Sequence, residues 1–243
     1  MIQISSDEAI EILVSVLAIS LGFTIVFAGI GGLLKYPKEF LVFMGLSLVT
    51  IGSGFILHEM GHKISAIYFG YHAQFRMWIQ GLVVMLLGSL VGVLFAAPGA
   101  VYIYSRHITK RENGIISIAG PMVNLILLAV FVGLEYFAPV TQYFSFLNGM
   151  TMQSFGIVNS MLHVWKFGAT VNLMLALFNM IPAFPLDGSK IFVWSKTKWA
   201  GMVILLMIVG VGVLNLGIGL VIMWALILFA ALIFSKMAFG GRG

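Results

Sequence analysis

The sequence contains no cysteine, which excludes disulfides, cysteine-ligated zinc and thiol catalysis together. Charge is nearly as scarce. Thirteen Lys and Arg and eight Asp and Glu make up 9% of the 243 residues, where a soluble domain carries about 25%. With 61% of residues hydrophobic and a mean hydropathy of +1.10, a soluble globular protein is excluded. The net charge of +5 comes from basic residues scattered over short loops; no stripe of them could follow a phosphate backbone, so nucleic acid is not an expected partner. Internal repeats, low-complexity tracts and charged blocks long enough for a second, soluble domain are also lacking. Any bound metal must therefore use His, Asp or Glu.

What the sequence has instead is long apolar runs. A spanning helix needs about 20 mostly apolar residues, and runs of that scale occupy 12–34, 40–57, 77–105, 113–134, 167–186 and 199–235. The first is too long for a cleavable signal peptide, and Asp7, Glu8 and Glu11 before it carry the wrong charge for one, so a retained helix is expected. The last would be about 56 Å long as one helix, nearly twice a bilayer core, and reads better as a helical hairpin turning near 215–219. Residues 136–162, with Pro139, Asn148, Gly149 and Asn159, read as an interfacial loop. The expectation is an all-α polytopic membrane protein of about six transmembrane helices, one embedded domain over 1–243 with its core at about 40–190.

Ionisable residues inside apolar segments are costly and rare, so each is a candidate for function. After the uncharged run 40–57 comes His58-Glu59-Met60-Gly61-His62. This HExxH pattern places two imidazoles at i and i+4 on one helix face, spaced for one tetrahedral metal, with a carboxylate placed to take a proton from metal-bound water. A catalytic metal needs a third protein ligand. Asp187 is the best candidate, because it closes the run 167–186 inside Asn179-Met180-Ile181-Pro182-Ala183-Phe184-Pro185-Leu186-Asp187-Gly188. Its two prolines break the helix, and such a break is tolerated in a membrane only where it is buried in protein or lines a wet cavity. Glu135, His72, His107 and His163 are rival ligands near segment ends. Zinc, Co(II) and Fe(II) would all accept such a donor set.

Three motifs in order resemble the site-2 proteases, the intramembrane zinc metalloproteases: HExxH on an early apolar segment, Gly120-Pro121-Met122-Val123-Asn124 at the head of a middle one, and Asn-x-x-Pro-x-x-Pro-Leu-Asp-Gly after a later one. The resemblance covers roughly 40–190. It implies His58, His62 and Asp187 as ligands of one zinc per chain, Glu59 as general base, and Asn179 as a polar group near the scissile carbonyl. It also implies a transmembrane protein as substrate, often already trimmed by an upstream site-1-type protease. Asn124 and Asn172 read as ordinary interhelical hydrogen-bonding residues. The same His and Asp residues would also suit a membrane metal carrier, and a prenyl-protein-processing type of zinc protease would take Glu112 or Glu135 as its third ligand. The sequence departs from the resemblance at 77–105, a longer apolar insertion than expected between the first two motifs.

One zinc needs His58, His62 and Asp187 at one depth. If 77–105 crossed the bilayer fully, the two ligand-bearing helix ends would lie on opposite faces, so the insertion is expected to be re-entrant or interfacial. Within it, Pro98-Gly99-Ala100-Val101-Tyr102-Ile103-Tyr104 alternates aromatic and smaller apolar residues after a Pro-Gly break. It reads as a strand, and Ala100, Val101, Tyr102 and Ile103 could pair with an unwound substrate. The distribution of Lys and Arg, ten against three in either arrangement, does not set the orientation. The metal argument places the active-site end toward the cytoplasm, in the plasma membrane of a prokaryote.

Overall fold

The computed structural model describes residues 4–93, 98–105, 107–147 and 155–239. Helix α1 (Ser6–Lys35) opens on Ser5, whose hydroxyl accepts the Glu8 N–H, while Asp7 and Glu8 complement the positive helix start. Gly29, at φ 64°, kinks it. Pro37 starts α2 (Pro37–Ser47), and five π-helical residues, Leu48–Gly52, join it to α3 (Ser53–Tyr68). The three pieces form one apolar rod, Pro37–Tyr68. Because this rod runs six residues beyond His62, the HExxH lies inside a helix rather than at its end, and the wider π turn just before it resets which face α3 presents.

Strand β1 (His72–Met77), helix α4 (Ile79–Leu90) and strand β2 (Gly99–Tyr104) follow. The strands pair antiparallel, His72 opposite Tyr104 and Met77 opposite Gly99, so the chain leaves and returns at one place. Helix α5 (Lys110–Phe137) begins with a capping box between Thr109 and Glu112. Beyond it β3 (Thr141–Tyr143), β4 (Ile157–Val158) and β5 (Met161–His163) form a small sheet in the order β3-β5-β4. Then come α6 (Val164–Asn179), α7 (Asp187–Trp194), α8 (Lys196–Gly212) and α9 (Ile218–Phe239).

The fold is mostly helical rather than all helical. Strand β2 is the one expected after Pro98, paired here with β1; the small sheet of β3, β4 and β5 is the correction, and it occupies the region read as an interfacial loop; 148–154 of that loop, and 94–97 of the insertion, lie outside the described residues. Strands of two or three residues are too short for hydrophobic periodicity to reveal. Among the described residues three helices are long and apolar enough to cross a membrane: Ser6–Lys35, Pro37–Tyr68 and Lys110–Phe137. The remaining helices of the expected six are not distinguished by that criterion. Helix α4, with 12 residues, reaches only about 18 Å.

One core lies between α5, α6, α8 and α9, around Phe131, Leu173, Leu177 and Leu206. The other joins α1, α2 and α6 through aromatic rings: Phe43 meets Phe27, Phe144, Phe146 and Phe167 with centroids 5.1–5.8 Å apart. Phe43 is fully buried, so Phe43→Ala would leave a cavity costing about 3–5 kcal/mol. The expected result is a clearly lower midpoint of denaturant unfolding in detergent micelles.

Candidate metal centre

The site is assembled on α5. Gly61 of α3 meets Ala119 and Val123 of α5 so closely that a Cβ there would lie 2.9 Å from Val123. This draws the HExxH helix onto the Gly120-Pro121 turn. A Cβ on Gly120 would stand 2.5 Å from His58 Nε2 and 2.6 Å from His62 Cε1, so only glycine leaves room for the imidazoles. Gly188 does the same for α7. Its Cβ would lie 2.2 Å from the Met180 carbonyl, which lets the start of α7 tuck under the end of α6 and carry Asp187 inward.

Three donor atoms converge. Asp187 Oδ2 lies 3.2 Å from His58 Nε2 and 3.0 Å from His62 Nε2, and the two Nε2 atoms are 3.1 Å apart. The edges of a tetrahedral zinc site with 2.0–2.1 Å bonds are about 3.3 Å. All three side chains are buried. The far nitrogen of each imidazole has a fixed partner: His58 Nδ1 is 2.6 Å from Asn124 Oδ1, and His62 Nδ1 is 2.8 Å from the Ile116 carbonyl. Both partners can only accept, so each Nδ1 carries the proton and each Nε2 turns a lone pair to the shared point. The orientation of the Asn124 amide is set in turn, since its Nδ2 donates to the Gly54 carbonyl and to Asn172 Oδ1. Asn172 Nδ2 donates to the Gly168 carbonyl. Asp187 Oδ1, the carboxylate oxygen facing away, pairs with Lys190 at 3.5 Å.

Glu59 lies beside this cluster, and its ligand atom, with those of His58 and His62, falls within the reach of one metal ion. However, Glu59 Oε2 accepts the Val101 N–H at 2.9 Å, whereas Asp187 Oδ2 touches both imidazoles. Geometry therefore favours Asp187 over Glu59 as the third donor. Of the strand residues singled out from the sequence, Val101 reaches the site directly. Ala100, Val101 and Ile103 line the same cavity, while Tyr102 is exposed on the other face. Asn179 also lines the cavity, but its Nδ2 donates to the Leu175 carbonyl of its own helix. The rival ligands lie elsewhere. Glu135 pairs with His163, Glu112 caps α5 and accepts from Tyr71, and His72 stacks on Tyr104.

The cavity measures about 540 Å³. Its walls are mostly apolar and include Phe23, Phe27, Phe55, Phe155 and Phe178 together with His58, Glu59, His62 and Asp187. An apolar space with a reactive cluster in its wall suits a chain segment with apolar side chains.

A model of peptidase family M50 matches residues 46–226. The chain belongs to that family. M50 membership brings the class of enzyme, a metalloprotease, in agreement with the site-2 protease resemblance of the motifs. Among curated relatives, a Methanocaldococcus jannaschii protein whose name marks it as a proposed zinc metalloprotease is 37% identical over 199 residues, covering 82% of this chain and 90% of its own. A Bacillus subtilis relative with the same style of name is 29% identical, covering 65% of this chain and 71% of its own. One from Mycolicibacterium smegmatis is 32% identical over 39% and 42%. No solved structure matches the chain.

Reasoning from sequence missed Asn124 as the residue that orients His58. The available signal was its place one helical turn after Gly120, the residue that must contact the imidazoles. Asn124→Ala would leave the His58 Nδ1–H without an acceptor, and metal affinity is expected to fall about 10–100-fold. Competition titration with a chromophoric chelator measures it; unchanged affinity would show that the hydrogen bond is dispensable.

Proposed function

We propose that this M50 protein is an intramembrane zinc metalloprotease that hydrolyses a peptide bond within or near a transmembrane segment of a membrane protein. The observation that carries the reading is the meeting of His58 Nε2, His62 Nε2 and Asp187 Oδ2 at 3.0–3.2 Å, in the wall of a mostly apolar cavity. Neutral imidazoles with Nδ1 protonated and one carboxylate are a donor set suited to zinc, the metal in the names of the relatives. Bound there, zinc would polarise a carbonyl and make an attacking water more acidic. His58, His62 and Asp187 would hold it, with Asn124 and the Ile116 carbonyl keeping the rings in place.

The remaining work belongs to the protein's own groups. The substrate must first unwind, because a helical peptide bond is shielded by its own backbone. Strand β2 offers an edge for it: the Val101 N–H points away from β1 and toward the site, and a substrate strand could pair along Ala100, Val101, Tyr102 and Ile103. As the substrate takes the Val101 N–H, Glu59 Oε2 is released to accept a proton from the attacking water and pass it to the leaving amine. Asn179, at the end of α6 in the cavity wall, would turn from the Leu175 carbonyl to hydrogen-bond the substrate backbone or oxyanion.

A membrane placement consistent with this site completes the reading. Helix α4, at about 18 Å, is too short to cross a hydrocarbon core of about 30 Å, and Met77 meets Gly99 across the β1–β2 pair. Both features support an insertion that enters and leaves on one side, which we place on the cytoplasmic face of a prokaryotic plasma membrane, with α1, α2–α3 and α5 spanning. A substrate already trimmed by an upstream protease would enter most easily. The metal-carrier reading has no support in the family comparison.

Glu59→Gln separates binding from chemistry. Reconstituted with a single-span polypeptide whose Leu-Ala-rich helix is interrupted by one Asn-Gly pair, this variant should keep its metal and lose cleavage by at least about 100-fold. Cleavage at the natural rate would contradict the assignment of Glu59 as base.

A further inference from the structure

Strand β1 has an outer edge as well, and α1 closes it. In an antiparallel pair alternate residues turn their N–H and C=O away from the partner, and on β1 these are Ala73, Phe75 and Met77. The Phe75 N–H donates to Glu8 Oε1 and the Met77 N–H to Glu11 Oε2, each at 2.9 Å. Glu8 and Glu11 are three apart on α1, and Ser15, on the same face, gives its hydroxyl to the Pro98 carbonyl at 3.2 Å. One stripe of α1 thus stands where a third strand would pair.

Glu8 does more than cap an edge. It is 1% exposed, and both its oxygens accept from Lys63 Nζ, at 2.6 and 2.7 Å. Lys63 follows His62 and lies one turn beyond Glu59 on α3. Phe75 is the cross-strand partner of Val101, whose N–H reaches Glu59. The contacts close a ring: Glu59 to Val101, across the sheet to Phe75, to Glu8, to Lys63, and along α3 back to Glu59. When substrate takes the Val101 N–H the Glu59 link opens, and the Phe75–Glu8 bond with the Glu8–Lys63 pair continues to hold the sheet against α1 and α3.

A buried ion pair is weak evidence of stabilisation, because an apolar pair of similar size is often no less stable. What the apolar pair could not do is accept the Phe75 N–H. We propose that Glu8 is a positioning residue of the protease: it closes the β1 edge, so that substrate adds to β2 alone, and fixes the β2 edge relative to Glu59, so that one peptide bond is presented for cleavage. This rests on the reading of β2 as the substrate-pairing edge.

Two double variants of the full chain, both free of buried charge, isolate the acceptor. Glu8→Gln with Lys63→Met keeps an oxygen for the Phe75 N–H; Glu8→Leu with Lys63→Met removes it. The probe is the same Asn-Gly-interrupted single-span polypeptide in phosphatidylethanolamine–phosphatidylglycerol vesicles, with products identified by intact mass and metal content measured alongside. Both doubles lose the Lys63 link equally, so the first serves as the reference for the second and is expected to give the natural product as its main product. The second should keep its metal, lose at least about tenfold in kcat/KM through misplacement of the substrate, and cut at neighbouring bonds as well. A single natural product at equal rates from both doubles would overturn the proposal. If the second double does not fold, Glu8→Met with Lys63→Met, which removes the acceptor in a side chain of nearly the size of glutamine, decides: mixed products support the proposal and an unchanged product overturns it. A natural chain that leaves the probe as intact as Glu59→Gln does would remove the protease reading, and this proposal with it.

Discussion

Three donor atoms within 3.2 Å of one another, carried by α3 and α7, can meet only if both helices bring these residues to the same depth. Most of the architecture answers to that requirement. The pairing of Met77 with Gly99 brings the chain between α3 and α5 back beside the point where it left. Helix α5 lies between the contributors, with glycine at 120 to admit the imidazoles and asparagine at 124 to hold one of them. Gly188 lets α7 begin tightly enough under α6 to deliver Asp187.

The polar groups that this meeting buries are satisfied by one another. From the Gly168 carbonyl through Asn172 and Asn124 to His58, each donor faces an acceptor in one direction, and the direction leaves the imidazole lone pair at the ligand point. In apolar surroundings an unmatched member of such a chain is expensive, so the chain tends to hold or fail as a unit. The ring through Lys63, Glu8, Phe75, Val101 and Glu59 applies the same logic at the substrate edge. Low dielectric makes each of these contacts strong, and their scarcity in a sequence with 9% charged residues makes each one traceable.

The HExxH, Asp187 and the strand after Pro98 could be read from the sequence because each interrupts an apolar run with groups that have no cheap alternative there. Asn124 could not be separated from an interhelical hydrogen-bonding residue, and the structure shows it doing both, bonding Asn172 and the Gly54 carbonyl as well as His58. Glu8 and Glu11 were visible only as acids before the first apolar run; their partners Phe75 and Met77 are backbone amides, which carry no sequence signal. The sheet of β3, β4 and β5 was hidden because a pattern of period two needs more residues than such strands contain. The HExxH was expected at a helix end because the uncharged run stops at Leu57, whereas the helix continues to Tyr68 on buried Lys63 and its partner Glu8.

The most direct test of the ligand set is metal content by plasma mass spectrometry on detergent-purified protein, comparing the natural chain with His58→Ala, Asp187→Ala and His163→Ala. The account predicts about one zinc per chain, lost in the first two variants and kept in the third. Zinc retained at the natural level without Asp187 would contradict it.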